Sequence, residues 1–129
     1  MPFPRIALLV PVLAVALFLP GFQHKLPRPT AQQIGMNQEN FAQSKVTIPV
    51  GARLTFINNS HFLHLIAPGQ DAIMATSQKG IPALDGTYNT HVSESGDQYT
   101  TGTWNTAGTY HLTCTLHPEM TLTVIVKGN

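Results

Sequence analysis

The 129-residue sequence has few charges and almost no cysteine. Asp, Glu, Lys and Arg make up only 10% of the chain, the formal net charge is +1, and the basic residues are scattered rather than clustered. A nucleic-acid-binding protein or a polybasic membrane-surface module would carry a basic patch or stripe, so neither class is expected. Ten glycines and ten prolines accompany this low charge, which favours short strands joined by turns over long surface helices.

A single cysteine, Cys114, rules out an internal disulfide bond. Small exported domains ordinarily use disulfides, yet an uncharged apolar run over residues 6–19, preceded by Arg5, resembles an export signal. Cys114 therefore has to act as a packing residue, as a free reactive thiol or as a metal ligand.

The length predicts one folded domain. We expect residues 1–22 to form a signal peptide or an N-terminal membrane anchor, so that the protein is exported to the periplasm or the extracellular space. Residues 23–33 are polar with two prolines, which is typical of a linker. The folded domain is expected over residues 34–129.

Within this domain, short apolar segments alternate with turn signals. The predicted strands cover residues 45–48, 53–57, 62–67, 91–93, 98–104, 109–114 and 120–127. Residues 70–89 give no clear pattern. Seven or eight short strands without a long amphipathic helix predict an all-β fold, an antiparallel β-sandwich.

The stretch 114–120, CTLHPEM, concentrates chemistry in seven residues. Cys114, His117 and Met120 offer a thiolate, an imidazole and a thioether, which together suit copper cycling between its +1 and +2 states. Blue-copper sites use two histidines and a cysteine in a trigonal plane with a weak axial methionine. If Cys114 ends one strand and Met120 starts the next, the intervening loop supplies three of these four ligands.

The fourth ligand has to be a histidine from elsewhere in the chain. Strand alternation places Cys114 on the inner face with Tyr110 and Leu112, so an interior histidine is required. The other histidines are His24, His61, His64, His91 and His111. The apolar neighbours of His64 make it a better interior ligand than His61, which follows a turn-like Asn-Asn-Ser, and His91 is the remaining alternative.

The residues around this motif resemble those of the cupredoxins, the small blue copper proteins that include plastocyanin, amicyanin and azurin. The stretch 108–114, GTYHLTC, is similar to the strand that carries the family's cysteine, and the Cys-x-x-His-x-x-Met loop is similar to the short loop of amicyanin. Residues 48–59 are similar to the segment before the family's first histidine, whose spacing corresponds to His64.

The resemblance covers residues 34–129 and implies a Greek-key β-sandwich that holds one type 1 copper ion per chain. The implied ligands are His64, Cys114, His117 and Met120. Two positions depart from the family pattern, since Leu65 stands where an asparagine usually follows the first histidine, and Leu63 where proline or glycine often precedes it. Outer hydrogen bonds tune a bound metal, so the redox potential and the loop rigidity are expected to differ.

The resemblance also implies single-electron transfer between protein redox partners by a monomeric soluble domain, with no catalytic residues and no enzymatic activity. His117, at the surface edge, would pass the electron, and Leu63, Leu116 and Pro118 would form a docking patch. A non-redox module for copper storage, delivery or sensing is the alternative, since it would use the same ligands. A cysteine hydrolase is disfavoured because it leaves Met120 unexplained and no helix follows Cys114 to lower the thiol pKa.

Overall fold

The computed structural model describes residue 1 and residues 31–75, 78–84, 90–92 and 95–128, with the backbone alone at 90–92. Nine strands form in this part of the chain: β1 (Gln32–Met36), β2 (Lys45–Pro49), β3 (Leu54–Asn58), β4 (His64–Gln70), β5 (Ile73–Met74), β6 (Thr90–Val92), β7 (Gln98–Thr100), β8 (Gly108–Cys114) and β9 (Thr121–Lys127). No helix long and apolar enough to cross a membrane is found among these residues.

The strands form two sheets. One has the order β1-β3-β7, and the other has the order β2-β9-β8-β4-β5, with β6 paired to β4. Most neighbours are antiparallel, as the sequence predicts, but β1 pairs with β3 and β2 pairs with β9 in parallel. The chain passes to the other sheet between β1, β2 and β3, so β1 and β3 can run in the same direction. The predicted all-β sandwich is confirmed, with two parallel pairs added.

The core lies between the sheets and follows the period of two along each strand. In β9, Leu122, Val124 and Val126 are buried while their neighbours are more exposed, and in β2 Val46 and Ile48 do the same. Residues on such alternate positions face one side of a sheet. The largest fully buried side chains are those of Trp104, Phe56, Ile34, Met36, Leu54, Ile66, Leu84, Leu112, Met120, Leu122 and His64.

Strand boundaries differ from the sequence prediction at three places. The strand β1 was not predicted, and it begins at Gln32. The predicted strand 98–104 ends at Thr100. Directly after it, the Oγ1 atom of Thr101 accepts hydrogen bonds from the Leu54 amide and the Trp104 indole. The strand expected to begin at residue 62 begins at His64 itself. The predicted strand 91–93 corresponds to β6, and residue 93 lies outside the described residues.

Candidate metal centre

Cys114 is the last residue of β8 and is completely buried. The expected inner face is confirmed, because Tyr110 and Leu112 are buried as well. Thr113, expected on the opposite face, is also buried. Its hydroxyl donates a hydrogen bond to the Met120 carbonyl at 2.9 Å and accepts one from the Ala72 amide at 2.9 Å. The strand end that carries the thiol is therefore fixed from both sides.

The loop after Cys114 turns the chain back within six residues. The Cys114 amide donates to the Met120 carbonyl at 3.1 Å, and the Met120 amide donates to the His117 carbonyl at 3.3 Å. Glu119 takes a left-handed backbone conformation, with φ of 68°, which closes the turn. As a result the His117 Nδ1 atom lies 3.3 Å from the Cys114 Sγ atom, and Met120 is fully buried at the end of the same loop.

His64 comes to this loop from another strand. It is the first residue of β4, and β4 pairs with β8 so that Ile66 lies opposite Cys114. The ring centroids of His64 and His117 are 5.0 Å apart. One donor atom each from His64, Cys114 and His117 lies within 4.8 Å of the others. Metal–nitrogen and metal–sulfur bonds are about 2.0 to 2.3 Å long, so this spacing matches three donors around one ion.

The two ring nitrogens of His64 have different surroundings. Nε2 lies 3.1 Å from the Ser60 hydroxyl, whereas Nδ1 is buried and has no hydrogen-bond partner among the described residues. Burial is the main cause that lowers the pKa of His64, the nearby His117 lowers it further, and a backbone hydrogen bond with Asn37 acts in the opposite direction. A neutral imidazole with an unpaired buried nitrogen fits a metal ligand.

The structure separates His64 from the other histidine candidates. His61 is exposed, and the Nδ1 atom of His111 lies 3.3 Å from the Thr123 hydroxyl. His24 and the side chain of His91 lie outside the described residues. Of the four residues in the expected ligand set, the donors of His64, Cys114 and His117 are brought together, and Met120 adjoins them through its backbone bonds in the loop.

Leu65, which stands where the family pattern has an asparagine, contributes through its backbone. Its carbonyl accepts a hydrogen bond from the Thr115 amide at 2.9 Å. The Thr115 hydroxyl donates a longer bond to the same carbonyl at 3.5 Å. The strand that carries His64 is thus joined to the start of the Cys114 loop without the Leu65 side chain. This bond depends on the pairing of β4 with β8, so nothing in the local sequence predicts it.

Three polar residues near the site were missed by sequence reasoning. Asn58 and Ser60 are buried before His64, and Thr113 is buried beside Cys114. Asn58 and Ser60 belong to a stretch that is typical of a turn, so their residue types give no sign that Ser60 contacts the histidine ring. The available signal was the spacing, since a polar turn residue stands four positions before the histidine that was predicted to be a buried ligand.

Exposed apolar residues lie next to His64 and His117, and one of them contacts the His117 ring. The Phe62 ring meets the His117 ring edge-on, at a centroid distance of 6.1 Å and an interplanar angle of 86°. Leu63 and Leu116 are exposed large apolar residues, and Pro118 is exposed as well. Leu63, Leu116 and Pro118 were expected to form a docking patch, whereas Phe62 was not included in that prediction.

Comparison with known proteins identifies relatives in sequence and in fold. The family model described as copper binding proteins of the plastocyanin/azurin family matches residues 30–127. An oxidized amicyanin variant is similar in structure, with a TM-score of 0.57 and 20% identity over 75% of this chain and 82% of that one. A purple cupredoxin from Nitrosopumilus maritimus gives a TM-score of 0.58 and 19% identity over 74% of this chain and 99% of that one. Comparison with curated protein sequences gives no match.

Proposed function

Because the chain belongs to the plastocyanin/azurin family of copper-binding proteins, we propose that it carries single electrons between protein redox partners. The copper ion would be bound by His64, Cys114, His117 and Met120. The observation that carries this proposal is the buried cluster in which the donors of His64, Cys114 and His117 lie within 4.8 Å of one another. The unpartnered Nδ1 atom of His64 supports it, since a buried polar atom normally has a partner.

Copper in such a site gains or loses one electron by changing between its +1 and +2 states. The roles of the protein ligands follow from their chemistry. The Cys114 thiolate would supply the strong sulfur donor, His64 and His117 the imidazole nitrogens, and Met120 a weak thioether donor. Four protein ligands leave no open position for a substrate, so the site suits a carrier rather than an enzyme.

The rigidity of the surrounding strands favours electron transfer. Cys114 and His64 lie on paired strands, and both are fully buried. The Leu65 carbonyl and the Thr115 amide join these strands directly beside the site. Ligands held in this way move little when the charge of the metal changes, and small movement keeps the cost of each electron transfer low.

The exposed edge of His117 is the proposed route for the electron. His117 is only partly buried, whereas Cys114, His64 and Met120 are completely buried. The exposed Phe62 ring contacts His117. Leu63 and Leu116, which precede His64 and His117 in the chain, are exposed as well, and exposed apolar surface of this kind marks protein contact sites. We propose that redox partners dock on this surface.

The proposed location is outside the cytoplasm. The apolar run over residues 6–19 after Arg5 supports residues 1–22 as a signal peptide or membrane anchor, with residues 23–33 as a linker. The copper domain is proposed to cover residues 34–129, and Gln32 and Gln33, at the end of the proposed linker, join it as the first residues of β1.

The first prediction concerns the spectrum. Adding Cu(II) to the copper-free protein should give an intense visible band from sulfur-to-copper charge transfer, and Cys114→Ala should abolish it because no other thiol exists in the chain. Cyclic voltammetry should then show a reversible one-electron wave. Copper binding without the band would contradict a type 1 site. A band with irreversible voltammetry and ready loss of copper to a chelator would favour storage or delivery.

A further inference from the structure

Asn58, at the end of β3, is a buried amide with a fixed orientation. Its Nδ2 group donates to the Phe62 carbonyl at 2.8 Å, and its Oδ1 atom accepts a bond from the Ser60 amide at 2.8 Å. An amide nitrogen only donates and an amide oxygen only accepts. These two bonds therefore point the Asn58 oxygen toward Ser60.

The orientation of Asn58 determines where Ser60 places its single hydroxyl proton. The Ser60 Oγ atom lies 2.8 Å from the Asn58 Oδ1 atom and donates to it. The same Oγ atom accepts a bond from the Phe62 amide at 3.2 Å. It also lies 3.1 Å from the His64 Nε2 atom. Because its proton is already used, Ser60 can only accept a hydrogen bond from His64.

Because the Ser60 oxygen acts as the acceptor, the Nε2 atom of His64 has to carry a proton. The His64 ring also has a backbone hydrogen bond with Asn37. A neutral imidazole has one N–H group, so Nδ1 keeps a free lone pair. Nδ1 is buried and has no hydrogen-bond partner in the part of the chain that the structure describes, and one nitrogen of His64 belongs to the cluster with Cys114 and His117.

We propose that Ser60, oriented by Asn58, is a positioning residue that fixes the tautomer and the ring orientation of His64. The hydrogen bonds that join Asn58, Ser60 and His64 leave a lone pair on Nδ1, so this atom can bind a metal without a change of tautomer. Hydrogen-bonded outer partners commonly fix the tautomer of a ligating histidine in this way. The inference rests on the proposed copper site, since it explains how one of its ligands is prepared.

The test uses the full-length, copper-free protein labelled with nitrogen-15 and measured by NMR. The wild-type His64 ring should show a single tautomer with the proton on Nε2. Ser60→Thr keeps the hydroxyl and should preserve this pattern. Ser60→Val has nearly the same shape as Ser60→Thr without the hydroxyl, and it should shift both ring nitrogens toward averaged values as the ring exchanges between states.

Copper release to a chelator gives the second readout. Loss of an outer partner of a metal-bound histidine typically costs about 10- to 100-fold in affinity, so Ser60→Val should release copper about tenfold faster than Ser60→Thr. Thr55→Val is the matched control. It removes a buried hydroxyl that contacts Thr100 on the neighbouring strand β7, in the sheet that does not contain His64. It should leave both the His64 nitrogen shifts and the release rate unchanged.

Two results would overturn the inference. The first is a wild-type His64 with its proton on Nδ1, which needs no variant to observe. The second is a Ser60→Val protein with the wild-type shifts and release rate, which would assign the tautomer to Asn37 alone. The NMR sample contains no copper, so its result does not depend on copper binding. A correct tautomer in a protein that gives no charge-transfer band would therefore refute the proposed function and leave this inference intact.

Discussion

His61 and His64 are three residues apart in the chain and have opposite environments. His64 is completely buried beside Cys114 and His117, whereas His61 is exposed. Burial favours a neutral imidazole, and a neutral imidazole is the form that binds a metal. The pair is thus a natural comparison for the assignment of the fourth ligand.

We expect His64→Gln to weaken copper binding by more than about 100-fold, beyond the loss typical of an outer partner, and to remove the visible band. His61→Gln should leave both properties at the wild-type level. A competition titration with a copper chelator measures the affinities. The assignment fails if His61→Gln weakens copper binding and His64→Gln does not.

At the scale of elements, the ligand loop depends on Thr113 of β8. The Thr113 hydroxyl joins the Met120 carbonyl to the amide of Ala72, which lies in the turn between β4 and β5. One side chain thereby connects the loop, β8 and the neighbouring turn. Removal of the hydroxyl breaks both hydrogen bonds. The buried Met120 residue keeps the Cys114 amide as a donor to its carbonyl, whereas the amide of the partly buried Ala72 loses this partner.

Thr113→Val should lower the free energy of unfolding of the copper-free protein by about 1 to 3 kcal/mol, because it removes two hydrogen bonds that contribute about 0.5 to 1.5 kcal/mol each. Thr109→Val, at an exposed position of the same strand, is the matched control and should change it by no more than about 0.5 kcal/mol. Urea denaturation measures both values. Equal losses in the two variants would show that strand propensity, not the hydroxyl, is responsible.

The elements were predictable where alternation was strong. The strands β8 and β9 were predicted nearly to the residue, because apolar side chains occupy alternate buried positions along them, with the buried Thr113 as the exception in β8. The strand β1 was not predicted, since only Ile34 and Met36 are apolar and buried in it. Its pairing with β3 is a long-range contact that leaves no periodic signal in so short and polar a segment.

The candidate site was also predictable only in part. Cys114, His117 and Met120 were found from their local spacing, and His64 from its apolar neighbours and the family pattern. The roles of Ser60 and Thr113 were not predictable, because each depends on groups brought close by the fold. A hydroxyl in a turn or a strand has the same appearance in the sequence whether it faces solvent or a ligand.

At the scale of the whole molecule, stability and copper chemistry are concentrated at different ends of β8. Trp104 is fully buried, and its ring lies 5.4 Å from that of Tyr110. Tyr110 precedes Cys114 by four residues, which corresponds to roughly 13 Å along a strand. The largest core side chain therefore packs well away from the thiol.

Trp104→Ala should lower the free energy of unfolding by about 3 to 5 kcal/mol, as expected for a large buried aromatic residue. The position of the visible copper band should stay the same in the folded protein. Thermal unfolding and absorption spectra of the copper-loaded protein measure the two effects. A shifted band in folded Trp104→Ala protein would show that the core and the site are coupled along β8.

The uneven distribution of the proposed ligands along the chain has a thermodynamic consequence. Cys114, His117 and Met120 stay within seven residues of one another even when the protein is unfolded, whereas His64 approaches them only through the pairing of β4 with β8. The unfolded chain therefore retains a copper-binding segment of its own, and metal bound to it offsets part of the stabilisation of the native state. The rise in melting temperature on adding copper thus measures the advantage of the native site over this segment, and His64 supplies much of that advantage.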